Sequence, residues 1–205
     1  MLNLFVTSEH MLRKSLNPID WFKLFKESYQ LAQVRTFLLY GFKNNKDNFL
    51  IKDAGVKGKG LFSKKAFKKG DLVFLMDGPT RFFKAETPEE CYIYPDWYSV
   101  GKNIWIEPAP FFNHINHSCN PNLGLRTSRE FVARRDIEPG EELNFDYSST
   151  DDELPWVMNC SCGEASCRKE VGAIQLLSEQ QYERLLPYVP KYFQTLRENY
   201  LRGKS

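Results

Sequence analysis

The residue types in Phe112-Asn113-His114-Ile115-Asn116-His117-Ser118-Cys119-Asn120-Pro121-Asn122 suit chemistry better than they suit a helix or a strand. The stretch holds two of the chain's three histidines and one of its five cysteines. Asn and Ser compete for backbone hydrogen bonds, and Pro121 forbids a helix through the segment. Phe111 and Phe112 on one side and Leu123 on the other place the loop against a core. A polar loop held on a core is a common position for a functional site.

A second group of candidate ligands is Cys160-Ser161-Cys162 with Cys167, in a turn-rich segment that also contains Gly163. A structural zinc takes four ligands in a tetrahedron, so three local thiols need a fourth from elsewhere. Cys119 is the better candidate, because an Asn/Pro loop can present its side chain outward. His114 or His117 is an alternative, and so is a set of free, inert thiols. Cys91, between Glu90 and Tyr92, reads as a small buried apolar residue. An odd number of cysteines, three of them within one short segment, favours metal ligation over a disulfide framework. That implies a reducing compartment, nuclear or cytoplasmic.

Two further segments complete the set. In Gly55-Val56-Lys57-Gly58-Lys59-Gly60-Leu61-Phe62, glycines flank Lys59 and allow close backbone approach to a ligand. No Gly-Lys-Ser/Thr follows at phosphate-loop spacing, and no dinucleotide fingerprint is present. A plain hairpin turn accounts for this motif taken alone. In Arg135-Asp136-Ile137-Glu138-Pro139-Gly140-Glu141-Glu142-Leu143-Asn144-Phe145-Asp146-Tyr147, Pro139-Gly140 signals a turn. Leu143 and Phe145 then alternate with polar residues like a half-buried strand, which ends at Asp146 and Tyr147.

The elements that must position these residues can be read from pattern. The chain has 205 residues, 42% of them apolar and 15% aromatic, enough for a real core. A net charge of +2 gives no footprint for direct nucleic-acid readout. No apolar run is long enough to span a membrane, and the N-terminus lacks the pattern of a secretory signal. Asn17 can cap a helix and Pro18 fits its first position. Ile19, Phe22, Phe25, Tyr29 and Ala32 then share one face, to pack on the main domain or on a partner.

From Asn48 to Tyr147 short apolar runs alternate with turn residues. They are Phe49–Ile51, Gly60–Phe62, Leu72–Met76, Ile104–Ile106, Leu123–Leu125, Glu130–Ala133 and Leu143–Phe145. Strands this short predict several small sheets and a mostly β fold. A small helix is expected over Thr87–Ile93. Ser178 with Gln181 makes a capping-box signal. A helical stripe over Tyr182, Leu185, Leu186 and Val189 is broken by Pro187 and Pro190, and Phe193, Leu196 and Tyr200 suggest a final helix.

Taken in order, the motifs resemble those of the SET-domain protein-lysine methyltransferases. The family's Gly-x-Gly segment, Asn-His-Ser-Cys-x-Pro-Asn loop and Glu-Leu-x-x-Asp-Tyr end correspond to Gly58-Lys59-Gly60, Asn116 to Asn122 and Glu142 to Tyr147. The Cys-x-Cys-x4-Cys of a post-SET segment matches Cys160, Cys162 and Cys167. The resemblance covers residues 48–172, and the C-terminal segment resembles the helical tails of short, stand-alone SET proteins. It implies a fold of small curved sheets with a pseudoknot, in which the domain's end threads beneath the Asn-His loop. The implied organisation is an N-terminal helical segment (1–46), a SET domain (47–150), a post-SET zinc segment (151–172) and C-terminal helices (173–205).

The resemblance also assigns roles. Asn116 and His117 bind S-adenosyl-L-methionine, with Gly58, Lys59 and Gly60 closing around its methionine end. Tyr147 positions the lysine amine. Phe145 stands where the family carries Phe or Tyr, and a tyrosine hydroxyl there holds a water that blocks further methylation. Phenylalanine therefore implies a di- or trimethyl product. Cys119, Cys160, Cys162 and Cys167 hold a structural zinc. The implied partner is a basic peptide such as a histone tail, recognised in part by Glu138, Glu141, Glu142, Asp146, Asp151, Asp152 and Glu153, unless these form an ordinary solvated face. Two differences from the family stand out. Leu75-Met76-Asp77-Gly78 replaces a Tyr-x-Gly segment, so the channel lacks that tyrosine. No cysteine-rich pre-SET segment precedes the domain, which argues against the branch acting on histone H3 lysine 9.

Overall fold

The computed structural model describes residues 46–203. The helical face predicted between Asn17 and Ala32 lies outside them. Strands β1 (Phe49–Asp53) and β2 (Lys59–Ser63) pair antiparallel, with Phe49 opposite Ser63. A short 3-10 turn, Gly55–Lys57, joins them, and Gly58 leaves it at φ 76°, a conformation that favours glycine. The predicted hairpin is therefore present, with the Gly-x-Gly run at its mouth.

Strand β10 (Glu142–Phe145) lies in the same sheet, antiparallel to β2 and parallel to β7 (Asn116–His117), giving the order β1-β2-β10-β7. The parallel pairing is what threads the domain's end under the polar loop. Ser118 N–H donates to the Phe145 carbonyl at 3.1 Å. Asn122 and Asn144 exchange side chain–backbone hydrogen bonds at 3.1 and 3.0 Å, and Asn122 Nδ2 donates to the Glu142 carbonyl at 2.8 Å. The asparagines that disfavour regular structure in the loop supply the bonds that pin it to β10.

A second sheet has the order β3-β9-β8, from β3 (Leu72–Leu75), β8 (Leu123–Leu125) and β9 (Glu130–Ala133). β9 is buried along its whole length, as a central strand requires. A third has the order β4-β6-β5, from β4 (Thr80–Phe82), β5 (Tyr98–Gly101) and β6 (Ile104–Ile106). The main core lies among these sheets, where Phe74 stacks on Phe131 at 4.9 Å and Phe145 meets Phe131 edge-on at 5.2 Å. The expected short helix is a 3-10 segment over Pro88–Tyr92.

Beyond residue 150 the chain forms a two-stranded ribbon, β11 (Val157–Asn159) with β12 (Glu170–Gly172), and two helices, α1 (Glu179–Leu185) and α2 (Lys191–Arg202). Both halves of the capping box form at Ser178 and Gln181. Ile174, Leu177, Tyr182, Leu185, Val189 and Phe193 make a second, smaller apolar cluster. The fold is thus mostly β with several small sheets and C-terminal helices. The apolar pattern did not predict β4, β5, β7, β11 or β12. β7 has only two residues, and β11 and β12 carry no sustained apolar alternation. Among the described residues no helix is long and apolar enough to cross a membrane.

Candidate functional site

The pairing of β2, β10 and β7 brings the Gly-x-Gly segment to the Asn-His loop. Asn116 Nδ2 donates to the Lys59 carbonyl at 3.1 Å and to Glu142 Oε1 at 2.7 Å. Glu142 also holds Lys57 in an ion pair, so one carboxylate ties together the turn before Gly58 and the side chain of Asn116. A methyl group on Gly60 would lie 2.7 Å from Glu142 Oε1, so the sheet is this close only because residue 60 is glycine. Gly58, Lys59, Gly60 and Asn116 therefore form one edge, with glycine backbone exposed at Gly58. Glu142 belongs to a recognised motif, but its tie to Asn116 was visible only in three dimensions.

His117 is buried, and its Nδ1 accepts the Tyr147 backbone N–H at 3.2 Å. That bond fixes the neutral ring with its proton on Nε2, which faces Cys119 Sγ at 3.3 Å. Burial lowers the His117 pKa to about 4; Asp146 opposes this, while Arg168 and Lys57 add to it. The imidazole therefore braces the loop from inside, and any ligand meets the backbone at this position.

Tyr147 and Phe145 form the inner end of an aromatic pocket that Ile115, Phe112, Trp97, Trp105 and Trp156 also line. The Tyr147 hydroxyl donates to the Ile115 carbonyl at 2.9 Å. Burial, then the charges of Asp96 and Glu142, raise its pKa and keep the phenol a donor. Its ring packs on Phe145 at 4.9 Å and on His117 at 5.3 Å. Ile115 and Asn116 are consecutive, so the pocket wall and the glycine edge meet on one short stretch of chain. Met76 lines the pocket as well, at the position where the sequence lacks the expected tyrosine.

The thiols of Cys119, Cys160, Cys162 and Cys167 all lie within 4.8 Å of one another. Cys119 to Cys160 is 3.8 Å and Cys160 to Cys167 is 3.7 Å. Sulfurs on a tetrahedral zinc with bonds near 2.3 Å lie about 3.8 Å apart, whereas a disulfide needs about 2.05 Å. The donor set fits a tetrahedral metal ion, and Cys119, not His114 or His117, supplies the fourth position. Burial raises the pKa of Cys119 and of Cys160, while backbone hydrogen bonding from Lys169 lowers that of Cys167 to about 7. A bound cation would offset the cost of ionising the buried thiols. Cys91 lies apart, half-buried in the pocket wall, where burial and a hydrogen bond donated to Glu153 push its thiol up to about 12. The sequence had placed it in the core.

Arg168, unmarked by any sequence motif, directly follows Cys167 and reaches back across the loop. It bonds both oxygens of Asp146, at 2.5 and 2.7 Å, with the two side chains only 9% and 1% exposed. Its backbone N–H donates to Cys119 Sγ at 3.4 Å. The run of acidic residues does not form one surface. Glu141 pairs with Arg135, Glu142 with Lys57 and Asp146 with Arg168. Asp152 accepts the Tyr192 hydroxyl at 2.6 Å. Of the run, only Asp151 lines the pocket.

Residues 58–148 match the model of the SET domain. The histone-lysine N-methyltransferase Su(var)3-9 of Drosophila pseudoobscura pseudoobscura is 30% identical over 154 residues, which cover 58% of this chain and 24% of that protein. Histone-lysine N-methyltransferase 2B of Homo sapiens is 28% identical over 146 residues, covering 62% of this chain and 5% of that protein. Among solved structures, KRYPTONITE in complex with mCHG DNA and SAH aligns with a TM-score of 0.47 at 24% identity, over 60% of this chain and 28% of that one. The chain thus spans less than a quarter of the length of these curated relatives.

Proposed function

We propose that this chain, whose residues 58–148 are a SET domain, is an S-adenosyl-L-methionine-dependent protein-lysine N-methyltransferase acting on a histone tail in the nucleus. The observation that carries this reading is the aromatic pocket ending at Tyr147 and Phe145, one residue along the chain from the Asn116 edge. The curated relatives are histone-lysine N-methyltransferases and supply the substrate class.

When bound, S-adenosyl-L-methionine supplies a methyl group already activated by its sulfonium charge. Gly58, Lys59, Gly60 and Asn116 would hold it, with the backbone at His117. The remaining work falls to the chain's own side chains. A free lysine amine has a pKa near ~10.4, so its neutral form costs roughly 4 to 5 kcal/mol at pH 7. Walls of Trp97, Trp156, Phe145 and Met76 exclude water and disfavour the ammonium. The Tyr147 hydroxyl, held by the Ile115 carbonyl, fixes the floor against which the amine is aligned. Alignment of this kind can contribute roughly 7–11 kcal/mol. A zinc ion on Cys119, Cys160, Cys162 and Cys167 would keep the ribbon of β11 and β12 fastened to the Asn-His loop without entering the reaction.

The test is mass spectrometry of mixed core histones incubated with the protein and S-adenosyl-L-methionine. A gain in mass on a lysine, lost in Tyr147→Phe, supports the reading. An absent gain, or full activity in the variant, overturns it. Phe145 places no hydroxyl at the pocket floor, so the expected product is di- or trimethyl-lysine. Phe145→Tyr should shift the product towards monomethyl-lysine, and unchanged product states would sink that assignment.

A further inference from the structure

Among the described residues, Asp96 and Asp151 line the pocket and no Lys, Arg or His does. They come from different parts of the fold. Asp96 lies in the rim segment after Pro95, exposed to solvent. Tyr94 and Trp97, on either side of it, stack at 3.9 Å with their rings 8° apart, and Phe83 meets Tyr94 edge-on at 5.1 Å. Asp151 follows the 3-10 turn Tyr147–Thr150, so Tyr147 opens and Asp151 closes the same short element.

Among the described residues neither acidic group has a cation beside it. Asp96 takes a long hydrogen bond from Asn113 Nδ2, at 3.3 Å. Asp151 Oδ1 takes the backbone N–H of Glu153, at 2.9 Å, yet burial, with Asp152 and Glu153 adding to it, raises its pKa well above the usual carboxylate range, so its charge is completed only when a cation arrives. Among the described residues no ion pair includes either one, whereas Glu141, Glu142 and Asp146 nearby in sequence each have a basic partner. Burial chiefly, with the charges of Asp96 and Glu142 adding to it, raises the Tyr147 pKa. The walls between are aromatic faces and the apolar Met76, which accept an alkyl stem and leave the attraction of a cation to the two acidic groups.

We propose that Asp96 and Asp151 are specificity-determining residues that capture the target side chain as a charged, N–H-bearing ammonium and exclude uncharged side chains of the same length. This deepens the lysine-methyltransferase reading and rests on it for the identity of the natural ligand. The two carboxylates act on capture, because holding the ammonium does not help it lose its proton. Charge-assisted hydrogen bonds to carboxylates exceed neutral ones, and screening at the rim limits the gain from Asp96.

The test uses n-butylammonium as the probe and n-butanol as its uncharged counterpart. Binding to the full chain is read by tryptophan fluorescence, since Trp97, Trp105 and Trp156 line the pocket. The wild-type protein should bind n-butylammonium in preference to n-butanol. Asp96→Asn and Asp151→Asn should each weaken n-butylammonium about fivefold and leave n-butanol unchanged, while Asp96→Glu should retain the preference. Equal weakening of both probes would mean that the carboxylates only shape the pocket, and would overturn the proposal. So would unchanged n-butylammonium affinity in both asparagine variants. The measurement involves no methyl transfer. A protein inactive on histones can still pass it, and an active methyltransferase can fail it.

Discussion

Two regions hold the end of this chain to the domain, by opposite means. The ribbon of β11 and β12 is held by polar groups: the thiols of Cys119, Cys160, Cys162 and Cys167, and the Asp146–Arg168 pair behind them. The helices α1 and α2 are held by burial of Ile174, Leu177, Leu185 and Phe193, with a capping box at the start. The second region gains stability from water release and needs no ligand. The first buries ionisable groups at a cost, which paired charges offset in part and a cation on the four thiols would offset further. The difference shows where the fold can be switched. The polar fastening lies against the Asn-His loop and touches the candidate site, whereas the apolar one is tied to the domain at its edges, through the Leu125 N–H on the Tyr188 carbonyl and the Tyr192 hydroxyl on Asp152.

Metal removal should give the largest effect. Chelation, or Cys119→Ser, should cost about 3 kcal/mol or more, a fall in Tm on the order of 10 °C. Hydrogen exchange should then accelerate in 157–172 and in the 116–122 loop, with protection kept in 179–202. Loss of protection throughout both regions would break the contrast, because it would make the helices depend on the metal.

The ion pair comes next. Arg168→Met leaves Asp146 buried without its guanidinium, which should cost about 3–5 kcal/mol. Burial works against the Arg168 charge, yet the hydrogen bonds and charge of Asp146 outweigh it and raise the guanidinium's pKa. Adding Asp146→Asn should recover part of the loss, since the uncompensated charge is then gone. Urea unfolding of the single and double variants measures this. A single variant as stable as wild type would make the pair ornamental and leave the metal as the sole polar fastening.

The same contrast explains what the sequence revealed. Apolar runs announced β1, β2, β3, β6, β8, β9 and β10, because a strand with a buried face must alternate or run apolar. Ser178 and Gln181 announced α1 for a similarly local reason. The thiol spacing pointed to a metal and to Cys119, since coordination restricts ligand type and number. What stayed hidden was non-local and polar. Nothing adjacent to Arg168 marks Asp146 as its partner, and nothing near Glu142 marks Asn116. The acidic run read as a surface because pairing with Arg135, Lys57 and Arg168 is made across the fold. Asp96 carried no motif, and only the pocket gives it a role.

The smallest effect tests the apolar region on its own terms. Ser178 Oγ accepts the Gln181 N–H at 3.3 Å, and Gln181 Oε1 accepts the Ser178 N–H at 2.9 Å. Ser178→Ala removes the first of these and leaves a helix N–H without its cap, for a cost of about 1 kcal/mol. The reciprocal bond loses its geometry too, so adding Gln181→Ala should cost less than it does alone, a coupling that a double-mutant cycle reads directly. The cycle run with and without chelator decides the matter. Equal losses in both states mean that α1 is fastened by its own cap and its own apolar cluster. A loss that grows once the metal is gone means that the two regions share their stability, and that the polar one carries load for the helices as well.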